Sequence, residues 1–453
     1  MITARVFSGK RYAVFGLART GLATARALIA SGADVLGWDD GDAARRAAAE
    51  AGIPLVDLYA LDLRGLDGLL LSPGIPLYLP APHPLAEKAR LAGVPVIGDV
   101  ELFARARAEL PAHKVVAITG TNGKSTTTAL IHHVVAAAGV PTRMGGNIGL
   151  PILGEAPLPE GGVYVLELSS FQIDLTQTLV ADVAVLTNIT PDHLDRHGDM
   201  AGYTHAKQRL FAMQTPRQTA VVSIDDDPSR RIADTVAGTL VPISNERVLG
   251  HGVCVVGGTL NVDGRAIGSQ SAWPRLQGPH NAQNAAAAYA ACRALGIADA
   301  VILAAFASYP GLAHRMEFVA EIGGVTYLND SKATNPTSTA PALAAYPAIH
   351  WIAGGKAKTD ELDACLPHLG HVRQAYVIGA AEALFAGLLS PHVPVVRAGT
   401  LEQAVADAAA AARPGEVVLL SPACASYDQF RDFEARGDAF RAAVAALGQG
   451  DAS

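Results

Sequence analysis

Cysteine is scarce in this 453-residue chain. Its four residues, Cys254, Cys292, Cys365 and Cys424, are scattered too widely for a disulfide framework or a metal knuckle. That excludes a stapled secreted scaffold and fits a reducing cytoplasm. Long apolar runs are missing too: 50% of the residues are hydrophobic, yet no stretch approaches the length that spans a bilayer, so no membrane association is expected. Residues 1–15 contain no apolar segment ending in a small-residue cleavage site, so export is not expected either. Charged residues are only 17% of the chain, with a net charge of −7. An acidic balance argues against general nucleic-acid binding and leaves any anionic ligand to local basic sites.

What is present is length, apolar content and glycine-rich turns placed after β-branched runs. A chain this long exceeds what one core supports, so two or three domains are expected. The most informative stretch is Thr119, Gly120, Thr121, Asn122, Gly123, Lys124, Ser125 and Thr126. A strand-like run, 114–118, precedes it, and a helical pattern, 127–135, follows. A strand, a tight turn and a helix N-terminus together make a phosphate site, because exposed N–H groups and the helix dipole both favour an anion. Lys124 can reach terminal phosphates and the Ser125 hydroxyl can hold Mg²⁺. The spacing departs from the general phosphate-loop pattern, since only Thr121 and Asn122 separate the two glycines.

Upstream, residues 12–16 read as a strand, followed by a turn with Ala18, Arg19 and Thr20, a helix over 22–30, and a strand over 35–39 closing on Asp39. This is a Rossmann-like opening, with an acid near the spacing expected for a ribose or base contact. Ala18 stands where the dinucleotide fingerprint needs its middle glycine, which argues against NAD; a plain βα turn fits equally well. A buried strand over 68–71 then runs into Ser72, Pro73 and Gly74. Boundaries are placed near Pro111 and Pro310. Between them lie a second glycine-rich turn with Asn147, a strand over 164–170 carrying the acid Glu167, and the polar cluster Asp192, His193, Asp195, Arg196 and His197, which reads as a site or as a solvated loop. Lys207 falls on a helical pattern, where a lone lysine ordinarily faces water. Asn281 can cap the helix that follows Pro279, and with Asn284 it shares a helix face open to an adenine or ribose. Beyond Pro310, strands and helices alternate in a mostly parallel pattern.

Taken together, these motifs resemble the Mur ligases of bacterial cell-wall synthesis over nearly the whole chain. The resemblance rests on the phosphate loop, on 145–149, Glu167 to Gln172, Asp192 to Arg196, His280, Asn281 and Asn284, His314 with Arg315, 329–335, and the block from Ser421 through Ser426 to Phe433. The last block is similar to that of the glutamate-adding member. The resemblance implies an α/β protein of three domains: a Rossmann-like UDP-sugar domain, 1–110; a central P-loop ATPase-like domain, 111–310; and a Rossmann-like amino-acid domain, 311–453. It implies ATP-dependent amide ligation through an acyl phosphate, with UDP-N-acetylmuramoyl-L-alanine and D-glutamate as substrates, in a cytoplasmic monomer. It further implies two Mg²⁺ ions, one held by Ser125 and Glu167 and the other by His193 and a carbamylated Lys207. Lys124, Glu167, His193 and Lys207 form the implied catalytic set. Gly120 to Thr126, Asn281, Asn284, Arg315 and Asp330 would hold ATP. Ala18, Arg19, Thr20, Asp39, Ser72, Pro73, Gly74 and Asn147 would hold the nucleotide sugar, and Thr334, Lys358, Ser426 and Phe433 the glutamate, with Lys356 a rival for Lys358. A sister ligase, a folate polyglutamate ligase and a catalytically silent nucleotide-sugar sensor are the alternatives.

Overall fold

The structure is a computed structural model and describes residues 1–450. It divides into two compact units, the first Met1–Tyr309 and the second starting at Pro310.

The first unit contains two sheets. One has four parallel strands, β1 (Arg11–Phe15), β2 (Asp34–Trp38), β3 (Gly68–Leu71) and β4 (Val96–Ile97), in the order β2-β1-β3-β4. The other has nine: β5 (His113–Thr119), β6 (Thr142–Gly146), β7 (Gly162–Glu167), β8 (Val183–Leu186), β9 (Thr219–Ser223), β10 (Thr239–Ser244), β11 (Val253–Val256), β12 (Thr259–Val262) and β13 (Arg265–Ser269). Their order is β13-β12-β11-β10-β9-β8-β5-β7-β6. Pairing is parallel from β6 to β11 and antiparallel for the last two pairs. Strands β7 and β8 are buried at every position, which is why they read as unbroken apolar runs without alternation. Helices cover both faces. Pro279–Ala294 is buried nearly all round, which its alanines allow by letting neighbouring backbones approach.

The two sheets share one apolar core, in which Phe7, Tyr12 and Phe103 meet Tyr164 and Leu186. A buried acid joins them as well. Glu101, on the helix Asp99–Ala106, accepts the Gln177 and Thr178 N–H groups at 2.7 and 2.9 Å and pairs with Arg105 at 2.9 Å. A carboxylate can be buried at such low exposure only with its lone pairs occupied in this way.

The second unit is a six-stranded sheet of β14 (Glu317–Ile322), β15 (Val325–Asn329), β16 (Ile349–Gly354), β17 (Val372–Ile378), β18 (Val395–Gly399) and β19 (Val417–Leu420). Its order is β14-β15-β19-β16-β17-β18, antiparallel only between β14 and β15. The helix Phe433–Gly450 packs on β14 and β15.

Local chemistry moved several expected boundaries. The first helix begins at Arg19, three residues before the expected start, and Asp39 falls just beyond β2. Strand β7 stops at Glu167 because Ser169 and Gln172 form a capping box that starts the helix Ser170–Asp174. Asn281 is not a cap: Gly278 occupies that position, and the Asn281 side chain donates to the Gln277 carbonyl from inside the first turn.

Candidate functional site

The site is built where β5, β7 and β8 end. Chain leaving β5 must turn sharply to enter the helix Lys124–Ala137, and two glycines make that turn. Gly120 has φ +148° and Gly123 φ +83°. A Cβ on Gly120 would strike the Thr187 hydroxyl, and one on Gly123 the Asn284 side-chain oxygen. The loop is held from the sides by polar groups. Asn188 accepts the Asn122 N–H at 2.9 Å, Thr187 donates to the Asn122 carbonyl at 2.6 Å, and Thr121 N–H donates to the Asn188 carbonyl at 2.8 Å. Asn284 is buried against the loop helix, accepting from the Thr127 hydroxyl at 3.2 Å and donating to Asn281 at 3.1 Å. Its amide therefore faces the turn. Ser125 and Thr126 open the helix, where its unpaired N–H groups lie.

Two lysines meet over this loop. Lys124 Nζ donates to the Gly120 and Thr121 carbonyls at 3.0 and 2.8 Å, and Lys207 Nζ donates to Gly120 at 2.8 Å. Lys207 is 1% exposed, which corrects the reading of a solvent-facing lysine. The helix Met200–Ala212 turns it inward, onto the Tyr203 ring at 4.5 Å. Burial, reinforced by the Lys124 charge, brings its pKa down to about 7; Asp192 and Glu167 act in the opposite direction. Glu167 is also 1% exposed. Its Oε1 accepts the Asn147 amide at 2.8 Å, while its Oε2 is buried without a hydrogen-bond partner. A buried carboxylate oxygen with no partner carries a substantial desolvation cost, and a cation would relieve it.

That orphaned oxygen suits a hard divalent ion such as Mg²⁺. Among the described residues no three His, Cys, Asp or Glu side chains are grouped to hold a metal. An ion here would thus draw much of its shell from phosphate oxygens and water, as Mg²⁺ commonly does. His193 takes a left-handed backbone, φ +51°, at the start of the short helix Leu194–His197. It lies 3.5 Å from Asp192 Oδ2 and half-exposed, with its ring 4.8 Å from that of Phe171. Arg196 lies over the same Phe171 ring at 4.5 Å and donates to the Gly74 carbonyl at 3.0 Å.

Of the expected nucleotide-sugar residues, Ala18 to Thr20, Asp39 and Ser72 to Gly74 follow β1, β2 and β3, while Asn147 follows β6. Thr20, Ser72 and Pro73 line a small cavity of about 20 Å³ with Gly16, Thr24 and Asp99. Asp39 holds the Leu17 and Gly41 N–H groups at 2.7 and 2.8 Å, so its carboxylate also shapes the first turn around Ala18. Arg19 donates to the Gly149 carbonyl at 3.0 Å, in the turn that carries Asn147.

In the second unit Asp330 is buried, accepting from the Ser421 hydroxyl at 2.7 Å and the Met316 N–H at 3.2 Å; burial pushes its pKa up to about 6. Arg315 is exposed and close enough to counter that rise. Lys358 donates to the Thr334 hydroxyl at 3.2 Å, while Lys356 bridges through its backbone to Ala425, beside Ser426. Phe433 accepts from the Ser331 hydroxyl through its carbonyl at 2.8 Å. Thr334, Lys358 and Ser426 thus lie on neighbouring loops, and Phe433, at the start of its helix, is tied to the first of them through Ser331.

Known proteins are similar to this chain over nearly its whole length. The family model described as Mur ligase middle domain matches residues 118–292, and the one described as Mur ligase, glutamate ligase domain matches 314–424. A UDP-N-acetylmuramoylalanine–D-glutamate ligase of Novosphingobium aromaticivorans is 57% identical, over 99% of this chain and 97% of its own. The Sphingopyxis alaskensis protein of the same name is also 57% identical, over 99% of this chain and all of its own. The chain belongs to the Mur ligase family. The Mur ligase fold is also seen in a solved UDP-N-acetylmuramate–alanine ligase of Thermotoga maritima, at a TM-score of 0.58 and 18% identity, covering 97% of this chain and 99% of that one.

Several residues around the loop carry little functional signal in the sequence. Asn188 and Thr187 brace the phosphate loop, and the only signal for them is a polar pair ending the apolar run of β8. Tyr203, which shares a 3.2 Å hydrogen bond with Thr121 and supports Lys207, carries no signal beyond helical spacing.

Proposed function

We propose that this chain is an ATP-dependent ligase that joins D-glutamate to UDP-N-acetylmuramoyl-L-alanine in peptidoglycan precursor synthesis. The observation that carries the reading is full-length identity of 57% to enzymes bearing that name. The regions 1–110, 111–310 and 311–453 would take the nucleotide sugar, ATP and the amino acid respectively, in a cytoplasmic monomer.

The chemical problem is that a carboxylate is a poor electrophile and an ammonium is no nucleophile. In the proposed reaction, an oxygen of the L-alanyl carboxylate attacks the γ-phosphorus of ATP, and the β–γ bridging oxygen leaves with ADP. The glutamate amine, having given up a proton, then attacks the carbonyl carbon of the acyl phosphate, and inorganic phosphate departs as the amide forms. Catalysis of phosphoryl transfer is mostly positioning and charge neutralisation.

The N–H groups of the loop from Gly120 to Thr126 would cradle the phosphates. Lys124 would turn from the loop carbonyls onto the γ-phosphate. Ser125 and Glu167 would hold one Mg²⁺, and His193 with Lys207 a second. These ions would supply neutralisation of the triphosphate and of the approaching carboxylate. An ammonium cannot ligate a cation, so Lys207 would have to be carbamylated. A pKa of about 7 provides the neutral amine that reaction with CO₂ requires. Asn281, Asn284, Arg315 and Asp330 would complete the ATP site. Ala18, Arg19, Thr20, Asp39, Ser72, Pro73, Gly74 and Asn147 would hold the nucleotide sugar. Thr334, Lys358, Ser426 and Phe433 would receive glutamate, with Lys358 favoured over Lys356 by its bond to Thr334.

Phosphate release measured with each substrate omitted in turn tests this reading. Release that needs ATP, UDP-N-acetylmuramoyl-L-alanine and D-glutamate together supports it. Release with ATP alone, or none with the full set, refutes it.

A further inference from the structure

The helix Phe433–Gly450 places an arginine, Arg436, inside the second unit at 1% exposure. Arginines are rarely buried unless paired with an acid, yet Arg436 forms no ion pair among the described residues. Its guanidinium instead faces carbonyls and one hydroxyl. Nε donates to Ser331 Oγ at 3.0 Å, Nη2 to the Ser331 and Cys424 carbonyls at 2.8 and 3.0 Å, and Nη1 to the Gly354 carbonyl at 3.4 Å. A Cβ on Gly355 would strike the Ala425 carbonyl and approach Nη1 to 3.1 Å, so the backbone passes close beside the arginine there. The acid acting on it, Asp428, has its carboxylate engaged by the Ala380 N–H at 2.8 Å. Burial lowers the Arg436 pKa to about 10, which leaves it cationic at neutral pH.

The three segments it gathers are those of the candidate glutamate residues. Ser331 is three residues before Thr334, Gly354 four before Lys358, and Cys424 two before Ser426. We infer that Arg436 is a positioning residue for the amino-acid substrate: one guanidinium fixes all three loops and holds beneath them a positive charge that no carboxylate contacts. Glutamate brings two carboxylates, and a buried cation behind the pocket favours a dianion over long range where water is excluded. The planar fork is the reason for arginine, since a lysine ammonium cannot span three carbonyls in one plane. This inference rests on the proposed glutamate-ligating function.

Arg436→Lys and Arg436→Met test it, with steady-state kinetics for D-glutamate and for UDP-N-acetylmuramoyl-L-alanine alongside thermal melting. R436K keeps the charge and loses the fork; R436M loses both. Losing hydrogen bonds to a charged group corresponds to about ten-fold in KM for glutamate for R436K and more for R436M, with KM for the nucleotide sugar within about two-fold. Equal losses for both substrates, R436K as damaging as R436M, or failure of R436K to fold would each reduce Arg436 to a staple and overturn the proposal. If wild-type protein itself ignores glutamate, the functional reading fails rather than the role of Arg436.

Discussion

Replacing Lys207 by methionine separates what this residue does for catalysis from what it does to stability. Methionine keeps most of the buried stem and removes the amine. Folding lowers the lysine pKa from 10.5 to about 7, so the folded state disfavours the charged form. Below pH 7 both states are protonated, and the folded protein bears the full cost of burying the charge, about 5 kcal/mol at 1.36 kcal/mol per pKa unit. Between pH 7 and 10.5 the folded amine is neutral while the unfolded one is charged, and the cost shrinks as pH rises; at pH 8 it is about 3 kcal/mol. The lost hydrogen bond does not strand its acceptor, because Lys124 also donates to the Gly120 carbonyl. Lys207→Met should therefore melt higher than wild type at pH 8, in buffer free of CO₂, metal and nucleotide, and the advantage should fade towards pH 10.5. The same variant should be inactive as a ligase and still bind ATP. A variant that melts lower than wild type at pH 8, or that turns over normally, would refute the reasoning.

Three further outcomes follow from the same structure. Gly123→Ala sets a methyl group against Asn284 at a positive φ and should abolish ATP binding measured by calorimetry; near-normal affinity would show the loop is not the phosphate site. Asp99 is 7% exposed, and burial raises its pKa from 3.8 to about 6, so its ionisation weakens the fold as pH rises from about 4 to 6. Asp99→Asn should consequently gain up to about 3 kcal/mol in denaturant unfolding at pH 8 and nothing at pH 3.5. Lys358→Ala should raise KM for glutamate about ten-fold or more with KM for ATP little changed, as expected for losing a charged hydrogen-bond partner. Equal effects on both would place the amino-acid pocket elsewhere.

The parts of this site legible in the sequence are those that local chemistry dictates. A β-branched run, two glycines and a Lys-Ser pair specify the phosphate loop because a strand-to-helix turn needs those φ values and that charge. Glu167 is legible as an acid closing an apolar strand. Lys207 is not legible from its surroundings, since Tyr203, Ala206, Leu210 and Phe211 mark the buried face of its helix only once that helix packs in the folded unit. Arg436 is hidden for a related reason. On an alanine-rich helix an arginine reads as solvated, and its three carbonyl partners come from segments 12 to 105 residues away. Asn281 looked like a cap because asparagine favours that position, but Gly278 and Pro279 start the helix earlier.

The most direct test is product mass. The purified protein would be incubated with UDP-N-acetylmuramoyl-L-alanine, ATP, Mg²⁺ and either enantiomer of glutamate. The account predicts a nucleotide sugar heavier by one glutamyl residue with the D-enantiomer. ATP hydrolysed with no such product from either enantiomer would contradict it.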